Sequence, residues 1–96
     1  MSEQNNKILY FSAKWCGPCK IVATHIEETK EKLKNYVNIQ KVDIEEEQKL
    51  SEEYNIKSIP TFVFVQDGEI KSTSTGVLTQ KQMIEKSEKT FGFSIN

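Results

Sequence analysis

The chain has 96 residues, of which 36% are hydrophobic and 28% charged, and its formal net charge is −1. These values fit one small globular domain, residues 1–96, and exclude a broad basic surface for nucleic acid or an anionic membrane. The apolar stretches are too short to span a bilayer. The polar start MSEQNNK lacks the pattern of a secretory signal, so we expect a cytoplasmic protein, in which disulfides are normally transient or catalytic.

The first half of the chain predicts a strand, a long helix and a second strand. KILYFS, residues 7–12, is a short apolar run typical of a buried parallel strand. From Pro18 to about Asn35 apolar side chains recur at helical spacing, and proline suits the first turn of a helix. VNIQKVDI, residues 37–44, alternates as a strand does.

A short helix follows the second strand. Glu45, Glu46 and Glu47 place negative charge where a helix N-terminus favours it. Leu50 and Tyr54, four residues apart, supply the inner face of this helix.

The second half of the chain predicts a hairpin and a last helix. Residues 61–65 are β-branched and aromatic, Asp67-Gly68 is a hairpin turn signal, and residues 69–75 return as the partner strand. The segment TQKQ, residues 79–82, fits a capping box at the start of the final helix. The order β-α-β-α-β-β-α predicts a mixed four-stranded sheet, because the crossover requires parallel strands and the hairpin antiparallel ones.

The hexapeptide WCGPCK, residues 15–20, holds the two cysteines of the chain and has three interpretations. A structural disulfide here closes a tiny ring and constrains little of the unfolded chain. A metal site usually needs four ligands, so two cysteines and the lone His25 require a second chain. In the third interpretation, Cys16 at a helix start becomes a thiolate, attacks a target disulfide, and is released by Cys19. Gly17-Pro18 provides a stiff turn that keeps the two sulfurs close.

Together with three later motifs, WCGPCK resembles the thioredoxin family. SIPTF at residues 58–62, DGE at residues 67–69 and TGVLT at residues 75–79 occur in the family's order and spacing, and the match runs from about Lys7 to the C-terminus. The resemblance implies an α/β, thioredoxin-like fold with helices on both faces of the sheet.

The resemblance also implies roles for individual residues. Cys16 is expected to be the nucleophile and Cys19 the buried resolving thiol, with Pro60 in the cis form beside them. A shallow apolar groove around Cys16 is expected to bind the target through Trp15, Ile59, Pro60, Thr75, Gly76 and Val77. The residues expected to support catalysis are Trp15, Gly17, Pro18, Pro60 and Lys41. No metal or cofactor is expected besides the disulfide itself, which an external reductase of the thioredoxin reductase type reduces.

The chain departs from the family pattern in three places. Only 15 residues precede Cys16, so we expect the usual first strand and helix to be lacking and residues 37–44 to form an edge strand. Tyr10 stands where the family has a buried aspartate, so we expect the resolving cysteine to rely on water or another base. Lys41 matches the family's lysine partner but is expected at the surface. Thr24 replaces a kinking proline, which predicts a straighter helix.

The sequence therefore predicts a monomeric thiol–disulfide oxidoreductase that reduces protein disulfides by dithiol–disulfide exchange. The alternative is a thioredoxin-fold binding module that docks on a larger protein, with redox activity secondary. Nothing in WCGPCK favours a glutaredoxin-like use of glutathione over the dithiol reaction.

Overall fold

A computed structural model describes residues 5–95. In chain order its elements are β1 (Asn6–Ser12), α1 (Gly17–Ala23), α2 (Ile26–Leu33), β2 (Asn38–Asp43), α3 (Gln48–Glu53), β3 (Thr61–Gln66), β4 (Glu69–Thr75) and α4 (Gln80–Phe91).

The strands form one mixed sheet in the order β2-β1-β3-β4. β1 runs parallel to β2 and antiparallel to β3, and β3 runs antiparallel to β4. The mixed four-stranded sheet is thus confirmed. Within residues 5–95, β2 pairs with β1 alone, so the strand expected over residues 37–44 does lie at an edge.

Helices cover both faces of the sheet, and β1 supplies side chains to both. Ile8 and Tyr10 face the layer built by α1, α2 and α4, where they join Val22, Ile26 and Met83. The alternate residues of β1 join a second cluster on the other face, against which Leu50 and Tyr54 of α3 pack. The period-two pattern of a strand explains this division, because successive side chains point to opposite faces.

The long helix predicted to run to about Asn35 is interrupted, and the expectation of a straighter helix was wrong. The Thr24 hydroxyl donates to the carbonyl of Ile21 at 2.6 Å and competes with the helical hydrogen-bond ladder. His25 then leaves the helical region, with φ −131° and ψ 0°, before α2 begins. Threonine thus replaces proline as the local cause of a break between α1 and α2.

The hairpin and the cap of the last helix follow the sequence signals. Asp67 and Gly68 both have positive φ, 52° and 83°, as a two-residue type I′ turn between β3 and β4 requires. At the start of α4, the Thr79 hydroxyl accepts from the Gln82 amide at 3.1 Å, and the Gln82 side chain accepts from the Thr79 amide at 3.0 Å. The predicted capping box is therefore present.

Thr79→Ala should lower the free energy of unfolding by about 1 kcal/mol, because it removes one half of the capping box. Denaturant unfolding measures the change. Thr90→Ala, within the same helix but far from its N-cap, is the matched control and should change stability much less. Equal losses in the two variants would contradict a capping contribution at Thr79.

Candidate redox site

The site lies where the loop after β1 enters α1. Cys16 is the N-cap of α1, Cys19 lies in its first turn, and Pro18 occupies one of the first two helical positions. The two cysteines are joined by a disulfide, with their Cα atoms 5.3 Å apart. The two cysteines lie about one helical turn apart in the chain, which explains why a spacing of two intervening residues brings their sulfurs together.

The Cys16 sulfur lies next to polar groups of the backbone. The Cys19 amide donates to Cys16 Sγ at 3.1 Å, and the N-terminus of α1 adds its partial positive charge. Cys16 and Cys19 are 4% and 5% exposed, so the disulfide form shows no difference in burial between the expected nucleophile and the expected resolving thiol. The pair packs against Ala13, with Ile44 and Ile59 at the margin. A thiolate on Cys16 is therefore stabilised by position rather than by exposure.

Tyr10 is hydrogen-bonded to the backbone carbonyl of Cys19. Its hydroxyl donates to the Cys19 carbonyl at 3.2 Å, and its buried ring stacks on Phe62 with centroids 5.0 Å apart. Burial raises the pKa of the Tyr10 phenol above its ordinary value, and the nearby Ser12 hydroxyl lowers it in smaller part. The geometry between the two hydroxyl groups falls short of a hydrogen bond, so Ser12 Oγ is buried without a partner within residues 5–95.

The segment around Pro60 comes to the same end of the sheet. The Ile59–Pro60 peptide bond is cis, and the Pro60 carbonyl accepts from the Gly76 amide at 2.8 Å. Ile59 packs against the cysteine cluster. Gly76 has φ 95°, a region that favours glycine, and it follows Thr75 at the end of β4. Val77 next to it is partly exposed. The hydrogen bond between Gly76 and Pro60 thus joins two of the segments expected to form the groove.

Trp15 is exposed, and its indole is hydrogen-bonded to Glu45, which the sequence pattern assigns only to a helix start. Its indole Nε1 donates to Glu45 Oε2 at 2.9 Å, and its side chain is 64% exposed. Beside this contact, Lys14 forms an ion pair with Glu46 at 3.4 Å. The acidic run was expected to lie at a helix start, and Glu47 is the N-cap of α3, which begins at Gln48. Glu45 and Glu46 lie in the turn just before it. Glu45 and Glu46 also hold the loop that carries the cysteines, through contacts that depend on the fold bringing the two segments together.

Lys41 lies away from the cysteines. It is opposite Tyr10 in the β1–β2 register, but its side chain is exposed and makes no hydrogen bond or ion pair among the described residues. With Ser12 and Asp43 it lines a pocket of about 290 Å³ at the ends of the two parallel strands. The position expected from the resemblance therefore reaches solvent, which agrees with a surface lysine.

No three His, Cys, Asp or Glu side chains between residues 5 and 95 are grouped so that they hold a metal ion. In the same part of the chain, every helix is too short or too polar to cross a bilayer.

A mixed sheet that presents a cysteine pair at a helix start, next to a cis-proline, defines the class of thioredoxin-like proteins with a redox-active disulfide. The family model described as Thioredoxin matches residues 1–89, and the chain belongs to the thioredoxin family.

Two curated relatives and one solved structure illustrate the similarity. The chain is 35% identical over 85 residues to thioredoxin of Mycoplasmoides gallisepticum, covering 88% of this chain and 84% of the relative. It is 34% identical over 88 residues to Thioredoxin-T of Drosophila melanogaster, covering 90% of this chain but only 56% of that longer protein. The structure of Fasciola hepatica thioredoxin superposes with a TM-score of 0.82 at 27% identity, covering 90% of this chain and 81% of that chain.

Glu45→Ala should release the Trp15 indole, because the substitution removes the acceptor of its hydrogen bond. Trp15 is the single tryptophan of the chain, so the fluorescence and the indole N–H resonance can both be assigned to this side chain. We expect a changed emission maximum and faster exchange of the indole proton with solvent. Glu46→Ala breaks the neighbouring ion pair with Lys14 and serves as the control, in which the indole signals should stay as in the wild type.

Above pH 10 the wild-type chain should lose more stability than Tyr10→Phe. Because burial raises the pKa of the folded phenol, the unfolded chain releases this proton at a lower pH than the folded chain does. The stabilisation is complete below the ordinary tyrosine pKa of about 10 and is lost as the pH rises toward the folded value. Denaturant unfolding of both proteins from about pH 8 to about pH 11 tests this. A stability difference that does not vary with pH would contradict it.

Proposed function

We propose that the protein reduces disulfide bonds of other proteins by dithiol–disulfide exchange, with Cys16 as the nucleophile and Cys19 as the resolving thiol. The observation that carries this proposal is the position of Cys16 at the N-cap of α1, where its sulfur accepts the Cys19 amide hydrogen bond. In the reduced protein the same donor stabilises a thiolate on Cys16, and the thiolate is the attacking species.

The exchange proceeds in two steps. The Cys16 thiolate attacks one sulfur of the target disulfide, forms a mixed disulfide and releases the other target sulfur as a thiolate. Cys19 then loses its proton and attacks Cys16 Sγ, which closes the Cys16–Cys19 disulfide and releases the second target sulfur. With Tyr10 in place of a carboxylate, water or another base takes the proton of Cys19.

The shape of the surface around the cysteines supports an extended protein target. Trp15, Thr75, Gly76 and Val77 are exposed, whereas Pro60 is buried and Ile59 half-buried. The Gly76 amide donates to the Pro60 carbonyl, and Trp15 directly precedes Cys16. This groove would hold a peptide segment beside Cys16. Pro60 would form one side of that groove, because it directly precedes β3 and its carbonyl is hydrogen-bonded to the Gly76 amide.

The partners follow from the same chemistry. They are disulfide-containing proteins on one side and an electron donor of the thioredoxin reductase type on the other, which returns Cys16 and Cys19 to the dithiol form. A net charge of −1 supports neither nucleic acid nor an anionic membrane as a partner. With a single pair of cysteines that forms the redox centre, we place the protein in the cytoplasm as a monomeric carrier of electrons.

The free edge of β2 favours a second candidate function, a thioredoxin-fold module that docks on a larger protein. Within residues 5–95 this strand has a neighbour on one side, so its outer backbone groups are available for pairing. In this function the disulfide would be secondary.

Reduction of insulin in the presence of dithiothreitol separates the two candidates. Wild type should turn over, whereas Cys16→Ser should lose activity to the background rate, because the attacking sulfur is gone. In a parallel reaction without dithiothreitol, reduced Cys19→Ser should retain the first step and accumulate a mixed disulfide with the target, since the protein then lacks the thiol that resolves it. A wild-type chain that is inert in this assay would favour the binding module, and equal activity in wild type and Cys16→Ser would exclude the proposed chemistry.

A further inference from the structure

The backbone of Cys19 is held at both of its polar groups. Its amide donates to Cys16 Sγ at 3.1 Å, and its carbonyl accepts from the Tyr10 hydroxyl at 3.2 Å. The first contact belongs to the redox pair itself. The second connects the first turn of α1 to the strand that lies in the interior of the sheet.

Tyr10 is a rigid anchor for that connection. Its side chain is 1% exposed, and its ring stacks on Phe62 of the neighbouring strand with an interplanar angle of 9°. Because β1 pairs with β2 on one side and β3 on the other, Tyr10 has little freedom to move. A hydroxyl held this firmly restrains whatever it binds.

We propose that Tyr10 is a positioning residue of the exchange reaction, whose hydroxyl holds the Cys19 turn so that the Cys19 sulfur stays aimed at Cys16. The inference rests on the proposed function and adds a residue to it.

The restraint matters in the second step of the exchange. While the Cys16–Cys19 disulfide is closed, the covalent bond itself keeps the two sulfurs together. In the mixed disulfide that bond is open, Cys16 is bonded to the target, and the position of Cys19 depends on non-covalent contacts alone. Correct placement of two reacting groups accelerates an intramolecular step, and a loose Cys19 reacts more slowly.

The hydroxyl and the ring of Tyr10 are separable. Tyr10→Phe keeps the aromatic ring, and with it the stacking on Phe62, but removes the donor to the Cys19 carbonyl. Tyr10→Asp, which would restore the carboxylate of the family pattern, instead deletes a fully buried ring and confounds catalysis with a core cavity. The phenylalanine variant is therefore the sharper test.

The test uses reduced protein and the small disulfide dithionitrobenzoate, whose chromophoric thiolate is released once in each step. The first release reports attack by Cys16 and the second reports closure by Cys19. In Tyr10→Phe we expect the first rate to stay within about twofold of wild type. The second should fall by roughly three- to tenfold, the range that the loss of one ordinary hydrogen bond produces.

Tyr36→Phe is the matched control. Tyr36 is 40% exposed, stacks on Phe93 and makes no contact with the cysteines, so both rates should equal those of wild type. A second rate in Tyr10→Phe equal to that of the control would overturn the proposal. So would an equal slowing of both steps, which indicates a general loss of structure. A wild-type protein that releases no chromophore contradicts the proposed function itself, so the two failures are distinguishable.

A measurement on the unaltered chain makes the test independent of how well the variant folds. If Tyr10 restrains Cys19 when the disulfide is open, the reduced wild-type protein should show a slowly exchanging Tyr10 hydroxyl proton in its nuclear magnetic resonance spectrum. Rapid exchange of this proton with solvent in the reduced protein would show that the contact is lost, and would overturn the proposal.

Discussion

The structure depends on the burial of β1 on both of its faces. Ile8 and Tyr10 are covered by the layer of α1, α2 and α4, and Leu9 and Phe11 are covered on the side of α3. Pairing with β2 and β3 also satisfies the backbone of this strand. A strand that is buried on both faces and paired on both edges is expected to be among the last parts of the chain to open. The loop that carries the redox pair begins directly at the end of this strand.

The redox site combines this support with groups from distant parts of the chain. Cys16 receives its hydrogen bond from within α1, Trp15 is held by Glu45 after β2, and Pro60 is joined to Gly76 across the start of the hairpin. The chemistry needs local geometry between two sulfurs, whereas the proposed target-binding surface is assembled from three segments. This difference explains why the cysteine pair is readable in the sequence and most of its surroundings are not.

Features with a short-range physical cause were predictable from the sequence. The Asp67-Gly68 turn, the capping box at Thr79 and the redox pair each depend on residues at most three positions apart. The break after α1 also has a local cause, in the Thr24 hydroxyl, but it competes with an apolar pattern that continues through the break. Side-chain periodicity reports the buried face of a helix and is insensitive to a one-residue interruption in its hydrogen bonds.

Contacts between residues far apart in the chain could not be predicted from sequence patterns. The acidic residue Glu45 fits a helix start as well as it fits an acceptor for Trp15, and only the path of the chain after β2 decides between them. The exposure of Lys41 is different, because the predicted place of this residue on an edge strand already implied that its side chain reaches water.

The sequence by itself determined the order of the strands and helices apart from the break between α1 and α2, the mixed sheet and the identity of the two reacting sulfurs. Periodicity, turn residues and cysteine spacing act over a few positions and are therefore readable in it. Only the tertiary structure decided what surrounds those sulfurs. Tyr10 is separated from Cys19 by nine residues and from Phe62 by much more, and its role depends on a strand, a helix turn and a second strand meeting in one layer. The packing of these three elements against one another depends on the whole fold, and no local sequence pattern predicts it.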